Sequence, residues 1–202
     1  MSSFFGQLVD FLEALSGSPW FYVAIVMIAF LDSVIPLVPS ETTVILGGAA
    51  AAAGELSLPL VLILAATGAF MGDSAAYTLG SQLGASIQRL IFRGPKGPER
   101  VSSLHRQISK RGGLLLITAR FIPGGRTALT LTCGLTQQPY TSWFARWDFI
   151  AVVIWASYAR GLGFFFGQWF DHGTAFLLAF SSALTFTLAV ELVQRVKAAR
   201  QG

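Results

Sequence analysis

The chain has 202 residues, of which 53% are hydrophobic and 12% are charged. Soluble domains carry about 25% charged residues, so this composition indicates an integral membrane protein. The net charge of +4 does not indicate nucleic-acid binding, because the basic residues flank apolar segments and set membrane topology there. The single cysteine, Cys133, excludes an internal disulfide, and without a Cys/His cluster of ligand spacing we expect no metal or cofactor. The apolar segments are interleaved and form one domain.

Residues 1–17 predict an interfacial amphipathic helix, because their large apolar side chains recur at helical spacing without the basic start of a signal peptide. The apolar run at 20–31 is shorter than the roughly 20 residues that a span needs. A helix that begins near Ser18 and continues a little past residue 31 would be long enough to span the membrane. Residues 58–84 predict a full span that contains Asp73.

Two further apolar stretches, residues 32–54 and 113–139, contain proline and glycine near their middle and also carry charge. Neither suits a continuous lipid-facing helix, because proline breaks helical hydrogen bonding and charge is costly in lipid. Irregular backbone at membrane depth has to be buried in protein or line a wet cavity. The sequence therefore predicts that each stretch is a re-entrant helix–turn–helix hairpin.

Residues 142–167 and 174–194 predict two more spans. The loop between Gly84 and Gly112 holds seven basic residues and one acidic residue, which indicates a cytoplasmic loop, as the basic tail does for the C-terminus. Four full spans and two hairpins then place both termini in the cytoplasm. The charges fit six full spans equally well, and the broken backbone favours hairpins. Arg146 and Asp148 are interpreted as anchors at the cytoplasmic interface.

The two halves of the chain show an internal repeat. The segment "VPSETTVILGG" (38–48) resembles "IPGGRTALTLTCG" (122–134), and glycines at positions 80 and 84 have counterparts at 163 and 167. The first hairpin is expected to enter from outside and the second from inside, so the repeat is inverted. Secondary transporters place their sites where inverted halves meet, at broken helices near the midplane.

Charged residues of opposite sign come from opposite halves. The first hairpin supplies Asp32 and Glu41, the second supplies Arg120 and Arg126, and the span at 58–84 adds Asp73. An isolated charge at a helix centre costs roughly 2.5–3.5 kcal/mol, so these residues predict a polar chamber where the hairpin tips meet. The three acids are candidates for proton exchange. Static ion pairs, or a helix–helix hydrogen bond in the case of Asp73, are the structural alternative.

The two arginines suit a phosphate ligand. A guanidinium is planar, keeps its charge and donates two parallel hydrogen bonds to an oxyanion. Gly124 and Gly125 lie between them and would let the backbone approach a ligand closely. We therefore expect Arg120, Arg126, Gly124 and Gly125 to bind an anionic headgroup. Snorkelling of the arginines towards the interface is the structural alternative.

Three segments carry a resemblance to a known family: "DSVIPLVPSETTVILGG" (32–48), "GAFMGDSAAYTLGSQLG" (68–84) and "ARFIPGGRTALTLTCG" (119–134). They are similar to segments of the DedA family, also called SNARE-associated or VTT-domain membrane proteins. The resemblance covers residues 18–170, which leaves 171–202 as a C-terminal transmembrane helix with a basic cytoplasmic tail. It implies paired re-entrant hairpins in a bacterial inner-membrane protein.

The resemblance also implies a function. Members are linked to moving polyprenyl-phosphate carriers and phospholipids between leaflets, in some cases with the proton-motive force, and Glu41, Arg120 and Arg126 match the family's functional charges. Asp32 does so with a shorter side chain, since glutamate is usual there. Asp148 stands where asparagine is common.

The leading hypothesis is a proton-coupled flippase or scramblase for a phosphate-bearing lipid such as undecaprenyl phosphate or an anionic phospholipid. It would not be an enzyme, and it could work as a homo-oligomer. An exchanger of a small ion or anion for protons would use the same chamber. A membrane lipid phosphatase is less favoured, because that chemistry usually needs a histidine beside a nucleophile, and neither His105 nor His172 lies in a predicted hairpin.

Overall fold

The computed structural model describes residues 18–35, 40–91, 97–111, 113–122 and 124–169. These residues form seven α-helices and a π-helical turn, and they contain no strand. The helices are α1 (Trp20–Val34), α2 (Ser40–Ala52), α3 (Leu58–Ile91), α4 (Gly97–Arg111), α5 (Leu114–Ala119), α6 (Gly125–Leu135) and α7 (Ala145–Gly167), with the π-helical turn (Tyr140–Phe144) before α7. The predicted all-helical fold is confirmed. The predicted helices at 1–17 and 174–194 lie outside the described residues.

Two helical segments are long and apolar enough to cross a membrane, Leu58–Gly84 within α3 and Tyr140–Gly167, which joins the π-helical turn to α7. Both agree with the sequence prediction to within two residues. Helix α1 has 15 residues and at 1.5 Å per residue is roughly 22 Å long. It is therefore shorter than the hydrocarbon core of about 30 Å.

The structure differs from the hairpin predicted at residues 32–54. Helix α1 continues to Val34, and α2 is the only whole helix in that range among the described residues. Ile35 is extended, with φ −120° and ψ 96°, because a residue that precedes proline is pushed out of the helical region. In the range 113–139, by contrast, α5 and α6 do form the predicted helix–turn–helix.

Glycines bring α2 into backbone contact with α7. A Cβ atom on Gly48 would collide with the carbonyl group of Arg160, and one on Gly163 would collide with the carbonyl group of Ile45. Larger side chains at either glycine would therefore separate the two helices.

Helices α3 and α6 meet in the same way. A Cβ atom on Gly134 would collide with the carbonyl group of Tyr77, and one on Gly80 with that of Leu131. In each helix the contacting carbonyl group comes three residues before the contacting glycine. The pairs are Ile45 and Gly48 in α2, Arg160 and Gly163 in α7, Tyr77 and Gly80 in α3, and Leu131 and Gly134 in α6. The two interfaces therefore share one register, and they make Gly80 equivalent to Gly163, as the sequence comparison suggested.

The end of α1 is fixed beside the start of α6 by hydroxyl groups. The Ser33 hydroxyl donates to the carbonyl oxygens of Ala29 at 3.2 Å and of Ala69 at 3.3 Å. The Thr127 hydroxyl donates to the Ser33 carbonyl oxygen at 3.1 Å. These bonds join α1, α3 and α6 next to Asp32.

Candidate functional site

Five charged side chains from five different segments meet in one place, which we call the charged cluster. Three are acids and two are arginines, and they come from the end of α1, the middle of α3, the turn after α5, the start of α6 and the start of α7. The members are Asp32, Asp73, Arg120, Arg126 and Asp148. The cluster thus joins both halves of the chain.

The inner part of the cluster is a buried triad around Arg120. Its Nη2 atom forms ion pairs with Asp73 Oδ2 and, at 3.1 Å, with Asp148 Oδ1. The three side chains are at most 2% exposed. The ring of Trp155 lies 5.9 Å from Arg120 Cζ, a distance at which the aromatic face attracts a cation. Because these charges are desolvated, each would be costly without its oppositely charged partner.

The outer part of the cluster is the ion pair of Arg126 with Asp32, whose Nη2 and Oδ2 atoms lie 2.9 Å apart. The Ser40 hydroxyl donates to the same carboxylate. The Arg126 and Asp32 side chains are 12% and 18% exposed, so this pair is more accessible than Arg120, whose binding of a headgroup stays a prediction. Arg126 Nε also lies 3.7 Å from Asp73 Oδ1, and Asp73 thereby links the two parts.

Several buried polar atoms of the triad lack a hydrogen-bond partner among the described residues. They are Nε and Nη1 of Arg120, Oδ1 of Asp73 and Oδ2 of Asp148. Buried polar groups are nearly always satisfied, and exceptions often mark functional sites. The triad therefore offers more hydrogen-bonding capacity than its present contacts use.

Glu41, at the start of α2, is placed next to the cluster but not in it. It is half-buried and lies near Asp32 and Tyr158. Within the described residues it forms no ion pair with an arginine. Asp32 does pair with Arg126, and proton exchange by either acid stays a prediction.

The two glycines of the α5–α6 turn are needed for different structural reasons. Gly124 has φ +69° and space around its Cβ position, so it is needed for its left-handed backbone. A Cβ atom on Gly125 would lie 2.9 Å from Ile122 Cβ, so this glycine permits close packing within the turn. That either glycine approaches a ligand stays a prediction.

An apolar groove of about 330 Å³ runs between α4, α5 and α6 and reaches Gly125, the neighbour of Arg126. Most of the lining is hydrocarbon, with two polar side chains. The lining residues are Leu104, Gln107, Ile108, Leu115, Gly125, Ala128, Leu129 and Thr132.

The predicted role of Asp148 as an interfacial anchor is wrong, since Asp148 is buried against Arg120. The sequence held a signal for this position. The buried face of α7 begins at Asp148 and continues through Val152, Trp155 and Ala159, which is helical spacing. The position of Asp148 near one end of the span suggested the membrane interface. Its position around the helix axis, in line with these buried residues, indicates the core. Arg146, by contrast, is exposed.

An all-helical chain with two segments able to cross a bilayer and a buried cluster of opposite charges is a helical membrane protein. The VTT domain matches residues 38–165, which is more than half of the chain, so the protein belongs to the VTT-domain family that includes DedA. The protein DedA of Escherichia coli K12 is 27% identical over 157 residues, which cover 73% of this chain and 69% of DedA.

Two other relatives are similar to the chain to the same degree. The inner membrane protein YohD of Escherichia coli K12 is 30% identical over 132 residues, which cover 65% of this chain and 67% of YohD. An uncharacterized membrane protein of Synechocystis is 30% identical over 144 residues, with coverages of 70% and 64%. No solved structure matches the chain.

Proposed function

We propose that the protein is a transporter, and not an enzyme, that moves a phosphate-bearing lipid between membrane leaflets in a proton-coupled cycle. Undecaprenyl phosphate and anionic phospholipids are the cargoes with the required chemistry. The observation that supports this most is the position of the Arg126–Asp32 ion pair, at the more accessible edge of a buried charged cluster, on the helix whose residue Gly125 lines an apolar groove.

Arg126 is the residue that would hold the phosphate. It is the second residue of α6, and the N-terminus of a helix favours an anion through its dipole. The guanidinium is bound to one Asp32 oxygen, and a phosphate can replace that carboxylate with two parallel hydrogen bonds. Arg120 is more deeply buried and would orient Asp73 instead.

Asp32 would couple the headgroup to a proton. When Asp32 takes up a proton it loses its negative charge, and its attraction for Arg126 falls, so the guanidinium is available to phosphate. When the proton leaves, the carboxylate competes with the phosphate and favours its release. Glu41 lies near Asp32 and would pass that proton on, and Asp73 would connect Asp32 to the triad through Arg126.

The groove favours a lipid over a small anion. A bare inorganic anion gains nothing from a wall of Leu104, Ile108 and Leu129, whereas a lipid chain can leave the bilayer for this wall without exposing apolar surface to water. Catalysis of phosphate release is disfavoured because His105, the described histidine, binds the Thr136 carbonyl oxygen through Nδ1 at 2.9 Å, outside the charged cluster.

In the membrane we propose four full spans, of which α1 is the first, and two re-entrant segments near residues 32–54 and 113–139 that form an inverted repeat, in the bacterial inner membrane with both termini cytoplasmic. The shared register of the α2–α7 and α3–α6 contacts supports the repeat. The two prolines between α1 and α2 and the left-handed Gly124 between α5 and α6 support breaks at membrane depth.

The proposal is tested by reconstituting the protein in liposomes with a fluorescent undecaprenyl phosphate and measuring the rate at which the label leaves the outer leaflet. Arg126→Ala should abolish flipping, and Arg126→Lys should lose most of it because an ammonium cannot replace the planar fork. Arg146→Ala, which removes an exposed arginine, is the matched control and should flip normally. Normal flipping by both Arg126 variants would refute the phosphate site.

The choice between lipid and small anion is tested at Ala128, whose side chain borders the groove. Ala128→Phe fills the groove and should slow lipid flipping about tenfold or more, whereas Ala128→Ser should not. Phosphate-dependent proton uptake in liposomes without labelled lipid measures the alternative. If Ala128→Phe leaves flipping intact, the groove does not hold the lipid chain.

A further inference from the structure

The charged cluster has more acids than bases. Each of its three carboxyl groups lies within ion-pair distance of an arginine, and there are two arginines. If every group were ionised, the cluster would carry one excess negative charge. An uncompensated charge in a buried site costs several kcal/mol, and a carboxyl group avoids that cost by taking up a proton.

The geometry of the triad indicates where the excess negative charge lies. Arg120 uses a single nitrogen, Nη2, for both Asp73 and Asp148, so the two carboxyl groups converge on one point. Two ionised carboxylates that face a single nitrogen repel each other, and one proton between them removes that repulsion. The excess negative charge of the cluster is therefore neutralised most readily at this pair.

The surroundings of Asp148 do not supply a second cation. Arg120 faces it from the turn after α5, Asp73 from α3 and the Cys133 thiol from α6. Arg126 pairs with the opposite oxygen of Asp73, and Asp32 and Glu41 lie beyond it on α1 and α2. Among the described residues, the one positive charge that contacts Asp148 is thus shared with a second acid.

We propose that Asp73 and Asp148 hold one proton between them, so that the pair carries a single negative charge opposite Arg120. A proton held between two acids in this way belongs to both. This site is distinct from Asp32, the group at which the proposed transport cycle binds its proton. The shared proton does not depend on that cycle, although its use in transport does.

Infrared spectroscopy of the purified protein tests the proposal without any transport assay. Protein labelled with carbon-13 aspartate should show, at neutral pH, the carbonyl stretch of a protonated aspartic acid, shifted by the label and by transfer to deuterated water. Asp148→Asn should remove the band because it removes one partner. Arg146→Ala, which removes an exposed arginine outside the charged cluster, is the control and should keep the band. Circular dichroism confirms that each variant is folded.

Two results would overturn the proposal: wild-type protein without a label-sensitive carboxylic acid band at neutral pH, or a band that persists unchanged in folded Asp148→Asn. The wild-type measurement decides even if the variant does not fold. A protein that shows the band but does not flip lipid refutes the transport function alone. A protein that flips lipid but lacks the band refutes the shared proton alone.

Discussion

Replacing Arg120 with methionine tests how strongly the triad depends on its cation. Methionine keeps most of the side-chain volume but removes both ion pairs, which leaves Asp73 and Asp148 facing each other in a site where neither is more than 2% exposed. Removing one member of a buried ionic group costs about 3–5 kcal/mol. Uptake of a second proton by the acid pair would reduce this cost, so we expect a loss of about 3 kcal/mol at neutral pH, lessening as the pH falls.

The loss is measured as the free energy of unfolding by sodium dodecyl sulfate in mixed micelles, with circular dichroism as the signal. The triple variant Arg120→Met, Asp73→Leu, Asp148→Leu should recover most of the loss, because an apolar replacement of a buried ionic group is often neutral or stabilising. Arg146→Met, at an exposed position, should stay within about 0.5 kcal/mol of wild type.

Two outcomes would contradict this reasoning. A cost below about 1 kcal/mol for Arg120→Met would mean that the triad is solvated in the protein, as exposed ion pairs are. A triple variant no more stable than the single variant would mean that Arg120 stabilises the fold by packing, for example against Trp155, and not by charge.

The glycines give two further predictions with the same unfolding assay. Gly163→Ala should cost about 1–3 kcal/mol, because its Cβ meets the backbone of α2, whereas Gly161→Ala, with nothing within 4 Å, should be neutral or stabilising. An equal effect at both positions would contradict the backbone contact. Gly124→Ala should cost about 1–2 kcal/mol because of its φ of +69°, and Gly124→Asn should cost less. A stability unchanged in Gly124→Ala would mean that the turn adopts another conformation.

Much of the helical layout could be predicted from the sequence because it depends on local chain properties. Apolar runs of sufficient length predicted the spans Leu58–Gly84, within α3, and Tyr140–Gly167 to within two residues. The two glycines and proline near residue 124 predicted the α5–α6 turn. The end of α1 at Val34 agrees with a first helix that continues a little past residue 31, although the predicted hairpin was started at residue 32 and so overlaps with it.

The members of the charged cluster could be predicted in part, whereas their pairing could not. Charges in apolar segments pointed to Asp32, Asp73, Arg120 and Arg126, since lipid does not tolerate them unpaired. Which acid meets which arginine depends on how helices from the two halves pack, and that information is absent from any single segment. Asp148 was misplaced for the same reason, because an aspartate near the end of a span is equally able to face water or the core.

The crossed packing of the two halves has a consequence for how the protein is made. Helix α2 needs the glycine face of α7, and ribosomes add about 5–20 residues each second, so α2 waits on the order of ten seconds for its partner. Packing between the two halves is therefore complete only after most of the chain has been synthesised.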